Sequence, residues 1–156
     1  MQYAHKKYDV TDFHGALLDI ISVMNYPSVD EALLAEANVK LDQILFPVLI
    51  SIGRYGPLGV TSLADRLGRD YTTVSRQVKR LQEMGLAQKQ PGEQDKRVSE
   101  VSLSLEGQAL TSSISRARQK MMNEIFADWP EQDVAQLFRL ARKYADGLVI
   151  KAQSQP

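Results

Sequence analysis

The sequence predicts a mainly α-helical fold that carries one small β-hairpin. Three observations predict it. Apolar residues recur at helical spacing along most of the 156 residues, from Phe13 to Leu148. That period breaks once, between Gly85 and Leu105, where a turn and an alternating pattern take over. Glycine, proline and cap-forming residues punctuate the chain at intervals that suit short helices.

Bulk properties narrow the class. Apolar residues make up 44% of the chain, enough for a packed core. The length suits a single chain of one domain with helical extensions. Cysteine is absent, which excludes disulfides, thiol redox sensing and cysteine-based zinc sites, and fits the cytoplasm. The opening MQYAHKKYDV has no apolar stretch after its lysines, so it does not read as a signal peptide. The apolar run Ile44 to Ile50 is interrupted by Pro47 and is too short to span a membrane.

The elements follow in order. Phe13, Leu17, Ile20, Ile21 and Met24 predict a helix over 11–25, capped by Thr11 or Asp12 and broken at Tyr26-Pro27-Ser28. A short helix follows over 29–37. The next spans 42–54, with Leu45, Phe46, Leu49 and Ile52 on one face and a kink at Pro47. Gly56-Pro57-Leu58-Gly59 stops it. Thr61 caps a short helix bearing Leu63, Ala64 and Leu67, which ends at Gly68. Asp70 caps a helix over 71–84 with Val74, Val78 and Leu81 at i, i+4 and i+7. Residues 86–90 and the Val101–Leu103 region form the two hairpin strands, joined by a turn over 91–96. A long helix over 105–127 ends at Trp129-Pro130. Pro130 suits the first turn of the last helix, whose stripe is Val134, Leu137, Phe138, Ala141, Ala145 and Leu148.

Two short helices joined by a tight turn over 61–84 make a helix-turn-helix. With Val74, Val78 and Leu81 inward, Thr72, Arg76 and Lys79 point outward, and Thr73, Ser75 and Arg80 flank them. These types suit DNA. An arginine such as Arg76 bonds a guanine edge in bidentate fashion. Thr72, Thr73 and Ser75 offer short hydroxyls. Lys79 and Arg80 reach phosphates, as do Thr61, Ser62 and Arg66 on the preceding helix. The start of the 71–84 helix adds backbone donors and a favourable dipole. Lys96 and Arg97 lie at the hairpin tip, where an arginine can enter a narrow minor groove. Asp95 is expected to orient Arg97 through an ion pair. The charge distribution agrees. The formal net charge is zero, yet residues 61–97 carry eight Lys/Arg against five Asp/Glu.

The segment LADRLGRDYTTVSRQVKRLQEMGLAQKQ, followed by DKR and then VSLSLEGQAL, resembles the MarR family of bacterial regulators over about Leu41 to Leu110. The ordered motifs are the TTVSRQVKRL helix, the Gly-Leu exit, the Asp-x-Arg wing and the Leu-Ser-x-x-Gly helix start. The resemblance implies a winged helix-turn-helix domain over 42–104, flanked by N- and C-terminal dimerisation helices over 1–41 and 105–156. It implies a homodimer on a palindromic operator, a repressor released from double-stranded DNA by a small aromatic or phenolic effector. By resemblance, Asp95 and Arg97 are the wing acid and wing arginine. Gln94, Lys96 and Ser104 depart from the usual proline, second arginine and threonine.

Other readings are weaker. The zero net charge favours a winged-helix protein-interaction module without DNA binding. A protein-binding face, however, would carry aromatics where Thr72, Arg76 and Lys79 stand. His5 and His14 suggest a metal-responsive DNA-binding regulator, but their spacing does not suit ligands on one helix face. Phe13, His14, Phe46 and Tyr55 are candidates to line an effector pocket, although aromatics at helical spacing usually pack in a core. No cofactor is implied. An enzyme is not expected, because nucleophile-elbow, phosphate-loop and paired-histidine motifs are all absent.

Overall fold

The computed structural model describes residues 7–154. Among them lie seven α-helices and three strands in the order α1 (Val10–Met24), α2 (Pro27–Glu36), α3 (Phe46–Tyr55), β1 (Leu58–Gly59), α4 (Val60–Leu67), α5 (Tyr71–Glu83), β2 (Ala87–Pro91), β3 (Ser99–Leu103), α6 (Leu105–Phe126) and α7 (Glu131–Gln153). The chain forms two compact units, with the boundary inside α6 between Ala117 and Arg118.

The first unit holds the core. Val74, Val78 and Leu81 of α5 are fully buried, as the helical spacing predicts. They are joined there by Leu63 of α4, Leu49 and Ile52 of α3, Val101 of β3 and Ile114 of α6. Burying an aliphatic side chain of this size contributes about 1.5–3 kcal/mol. The face of α5 that turns inward is therefore set by packing rather than by helix propensity.

Several boundaries differ from the sequence expectation, each for a local reason. Asp9, not Thr11 or Asp12, caps α1, and its Oδ1 accepts from the Asp12 N–H at 3.1 Å. Helix α2 starts at Pro27 itself, because proline's fixed φ and missing donor suit a first helical position. Helix α3 starts at Phe46 rather than 42, so Pro47 falls in its first turn. No helical donor is needed there, and the expected kink has no cause. Residues 42–45 instead form a turn in which the Asp42 carbonyl accepts from the Leu45 N–H at 2.9 Å. Gly59, not Thr61, caps α4, and Pro130 caps α7 from just outside its first turn.

The hairpin is part of a three-stranded antiparallel sheet of order β1-β3-β2. Leu58 of β1 lies opposite Val101, and Lys89 of β2 lies opposite the same residue on the other side. A two-residue strand carries no alternation, which is why β1 leaves no signature in the sequence.

Two glycines set the exits of the helix pair. Gly68 (φ 64°) lets the Arg69 N–H reach back to the Ala64 carbonyl at 3.1 Å. Gly85 (φ 78°) does the same for the Leu86 N–H and the Leu81 carbonyl at 2.9 Å. Both are left-handed helix ends that side chains disfavour. The Gly85 exit is then tied to the start of α6. Ser104 Oγ donates to the Gly85 carbonyl at 2.6 Å and accepts from the Gly107 N–H at 3.0 Å. The Ser104 N–H donates to the Leu86 carbonyl at 3.0 Å. One serine thus ends β3, caps α6 and pins the exit of α5.

The second unit comprises the end of α6 and α7. Phe126 packs edge-on against Trp129 and Phe138, with ring centroids 5.0 and 5.8 Å away. No residue of α7 is buried, and the same is true of α1 in the first unit.

Asp70 caps α5, its Oδ1 accepting from the Thr73 N–H at 2.9 Å and its Oδ2 from the Thr73 hydroxyl at 2.6 Å. The hydroxyl bond, then the backbone bond, hold the carboxyl below its ordinary value of 3.8. A carboxyl lowered by folding stabilises the native state above its unfolded value, and that stability is lost as pH falls through the folded value.

Two outcomes are expected. Gly107→Ala should destabilise the protein by about 1–3 kcal/mol in urea unfolding, despite alanine's better helix propensity, because the added carbon meets the Leu86 carbonyl oxygen. Acid titrations of thermal unfolding should show the parent losing stability relative to Asp70→Asn as pH drops below 3.8, with a constant difference above it.

Candidate nucleic-acid interface

Burial of the inner stripe leaves Thr72, Arg76 and Lys79 exposed along one side of α5. Ser75 is half-buried beside them. The flanking residues are more committed. The Thr73 hydroxyl is engaged by Asp70, so it reinforces the cap instead of standing free. One donor at the start of α5 is likewise consumed by Asp70, which reduces what that helix end offers to an anion. Arg80 faces Asp42 while staying half-exposed, with both Nη atoms 3.4 Å from Asp42 Oδ2.

Thr61 and Ser62 are exposed in the first turn of α4. Arg66, in the last turn of α4, lies over the Tyr55 ring with its guanidinium carbon 3.9 Å from the centroid. A stacked guanidinium keeps its edge available for hydrogen bonds while losing rotational freedom.

In the wing, Asp95 grips Arg97 with a fork. Its Oδ1 accepts from Arg97 Nε at 3.1 Å and its Oδ2 from Nη2 at 3.2 Å. Oδ1 also accepts from the Arg97 N–H at 3.0 Å. The Arg97 side chain is 91% exposed, so the pair steers the arginine without hiding it. These bonds hold the Asp95 carboxyl below its ordinary value, the Arg97 side chain contributing most. Lys96 beside it is exposed.

Sequence reasoning missed two polar residues inside the helix pair. Gln77 sits on the inner face of α5 and is only 6% exposed. Its Oε1 accepts from Arg69 Nη1 at 3.1 Å, and that nitrogen also donates to the Ile44 carbonyl at 3.0 Å. The signal was present, because Gln77 falls between Val74 and Val78 on the buried register, where a polar side chain needs a partner.

The four effector candidates do not share one role. Phe46 is buried in the core, Tyr55 carries Arg66, and Phe13 and His14 lie on the exposed α1. An open groove of about 500 Å³ runs between α4, the start of α5 and the wing, lined among others by Thr61, Ser62, Asp65, Tyr71, Lys89 and Ser99. None of the four candidates lines it. Among the described residues no group of three or more His, Asp or Glu converges as a metal site, and His5 lies outside those residues. No helix among them is long and apolar enough to cross a membrane.

Comparison with known proteins agrees with this geometry. The MarR family model matches residues 44–99, which run from the start of α3 to the wing. No curated protein matches. Among solved structures, a MarR family protein from Bacillus stearothermophilus superposes with a TM-score of 0.73 at 17% identity, over 95% of this chain and 99% of that one. A multiple antibiotic resistance repressor, MarR, gives 0.62 at 23% identity, over 83% and 93%. The PcaV transcriptional regulator from Streptomyces coelicolor, in complex with its natural ligand, gives 0.53 at 23% identity, over 94% and 98%. At these identities the likeness is one of fold. Residues 44–99 thus match the MarR family model and form a winged helix-turn-helix, and the fold is similar to that of MarR-type structures.

Proposed function

We propose that the chain is a transcription regulator that binds double-stranded DNA sequence-specifically as a homodimer and performs no enzymatic chemistry. The observation that carries this reading is the row Thr72, Arg76 and Lys79, held outward by a fully buried opposite face and accompanied by an exposed, oriented Arg97. Residues 42–104 read DNA. Arg76 contacts a base edge in the major groove. Thr72 and Ser75 add hydroxyl contacts, and Lys79, Thr61, Ser62 and Arg66 hold phosphates. Arg97, set by Asp95 and aided by Lys96, enters the minor groove.

Residues 1–41 and 105–156 supply the dimer contacts. The support is the apolar surface left exposed on α1 (Leu18, Ile20, Ile21) and on α7 (Leu137, Leu148, Ile150). Helices with unburied apolar stripes find cover in a second copy. Two copies would place their recognition helices about 34 Å apart, so the operator is a pseudo-palindrome with half-sites about 10 base pairs apart. Repression, and release by a small aromatic or phenolic effector in the cytoplasm, extend the reading. A repressor and a ligand-bound regulator of similar fold support both extensions.

Selection of bound sequences from random duplex DNA tests the whole reading. Enrichment of a two-fold symmetric site is expected, and retention of no duplex at low salt would refute it. On the selected site, Arg76→Ala should lose about 1–3 kcal/mol of discrimination at one base pair per half-site. Arg97→Ala should weaken binding and reduce the slope of log affinity against log salt by about one per arginine removed. An unchanged slope would remove the wing from the interface.

A further inference from the structure

Arg80 does not stand free on the recognition helix, and the group that holds it is itself held. Asp42 Oδ2 faces both Nη atoms of Arg80 at 3.4 Å, while Asp42 Oδ1 accepts from the Ile44 N–H at 3.1 Å. The Ile44 carbonyl accepts from Arg69 Nη1 at 3.0 Å, and the same nitrogen donates to the buried Gln77 Oε1 at 3.1 Å. Gln77 and Arg80 lie on the same helix, three residues apart and so on neighbouring faces. The contacts form a circuit that leaves α5 at Gln77, crosses Arg69, Ile44 and Asp42, and returns to α5 at Arg80.

The two ends of this circuit differ in solvation. The Gln77 end is buried, so breaking it strands a polar group. At the other end the side chains of Arg80 and Asp42 are 52% and 50% exposed. A pair in that much water is weak and exchangeable. A carboxylate oxygen and a phosphate oxygen make the same demand on a guanidinium, so either can fill the place.

We propose that Asp42 is a positioning residue for DNA reading, an internal stand-in for phosphate that holds Arg80 in the free protein and yields it to the DNA backbone. The proposal rests on the DNA-binding reading above. In this arrangement the anchored 42–44 turn fixes where Arg80 points before DNA arrives. It also lowers affinity for DNA of arbitrary sequence, because phosphate must displace a carboxylate already in place.

A double-mutant cycle on the full chain tests this, using the parent, Asp42→Asn, Arg80→Ala and the double variant. Affinity for a mixed-sequence duplex is measured across a salt series. Asparagine keeps an oxygen for the Ile44 N–H, and thermal unfolding confirms that each variant is folded. Asp42→Asn should bind about two- to fivefold more tightly than the parent, the range an exposed pair can supply. That gain should vanish in the Arg80→Ala background. An equal gain in both backgrounds would mean a general loss of negative charge and would overturn the proposal. So would no gain at all. A parent that binds no duplex removes the DNA reading itself, and the proposal with it.

Discussion

Burial of Val74, Val78 and Leu81 sets the rotation of α5, and the chemistry of the surface follows from that rotation. Three aliphatic side chains at i, i+4 and i+7 can be buried only one way round. Once they are, the helix presents Thr72, Arg76 and Lys79 as neighbours and leaves no aromatic among those three. The stripe is covered from several sides, because α3, α4 and β2 all pack against α5. The residues that would touch a partner contribute little to this packing. The exposed surface can therefore vary in sequence while its geometry is held by side chains beneath it.

Around that core, three exposed arginines of the surface each have a partner that orients them. Arg97 is forked by Asp95, Arg66 lies on Tyr55 and Arg80 faces Asp42. Arginine loses much rotamer freedom when it binds, and a neighbour that already restricts the side chain reduces that loss. The carboxylates that look out of place on a surface proposed to meet phosphate make sense in these terms. Zero net charge is compatible with the same surface, because several acids are spent locally on arginines and on the cap of α5.

Much of this was legible in the sequence because the relevant signals are local. The period of α5, its Asp70 cap, the glycine exits and the Asp95–Arg97 pair all involve residues within a few positions of one another. What stayed hidden depends on distant partners. The strand β1 is too short to alternate, and only its pairing with β3 defines it. The Arg69–Gln77 bond reaches across the turn of the helix pair, and Arg80 meets a residue 38 positions earlier. The stacking of Arg66 on Tyr55 stayed hidden too, because the two residues come from different helices. Pro47 was legible as a helix disruptor, but its effect depended on where α3 begins, and the start at Phe46 puts it in the first turn.

Ser104 has a mechanical consequence. Its hydroxyl and its N–H hold the residues where α5 ends, while its place in the chain joins the last wing strand to the first turn of α6. The first turn of α6 is thus tied to the end of α5 and to the wing at the same point. A displacement of that first turn would reach helix and wing together, like two tines on one handle.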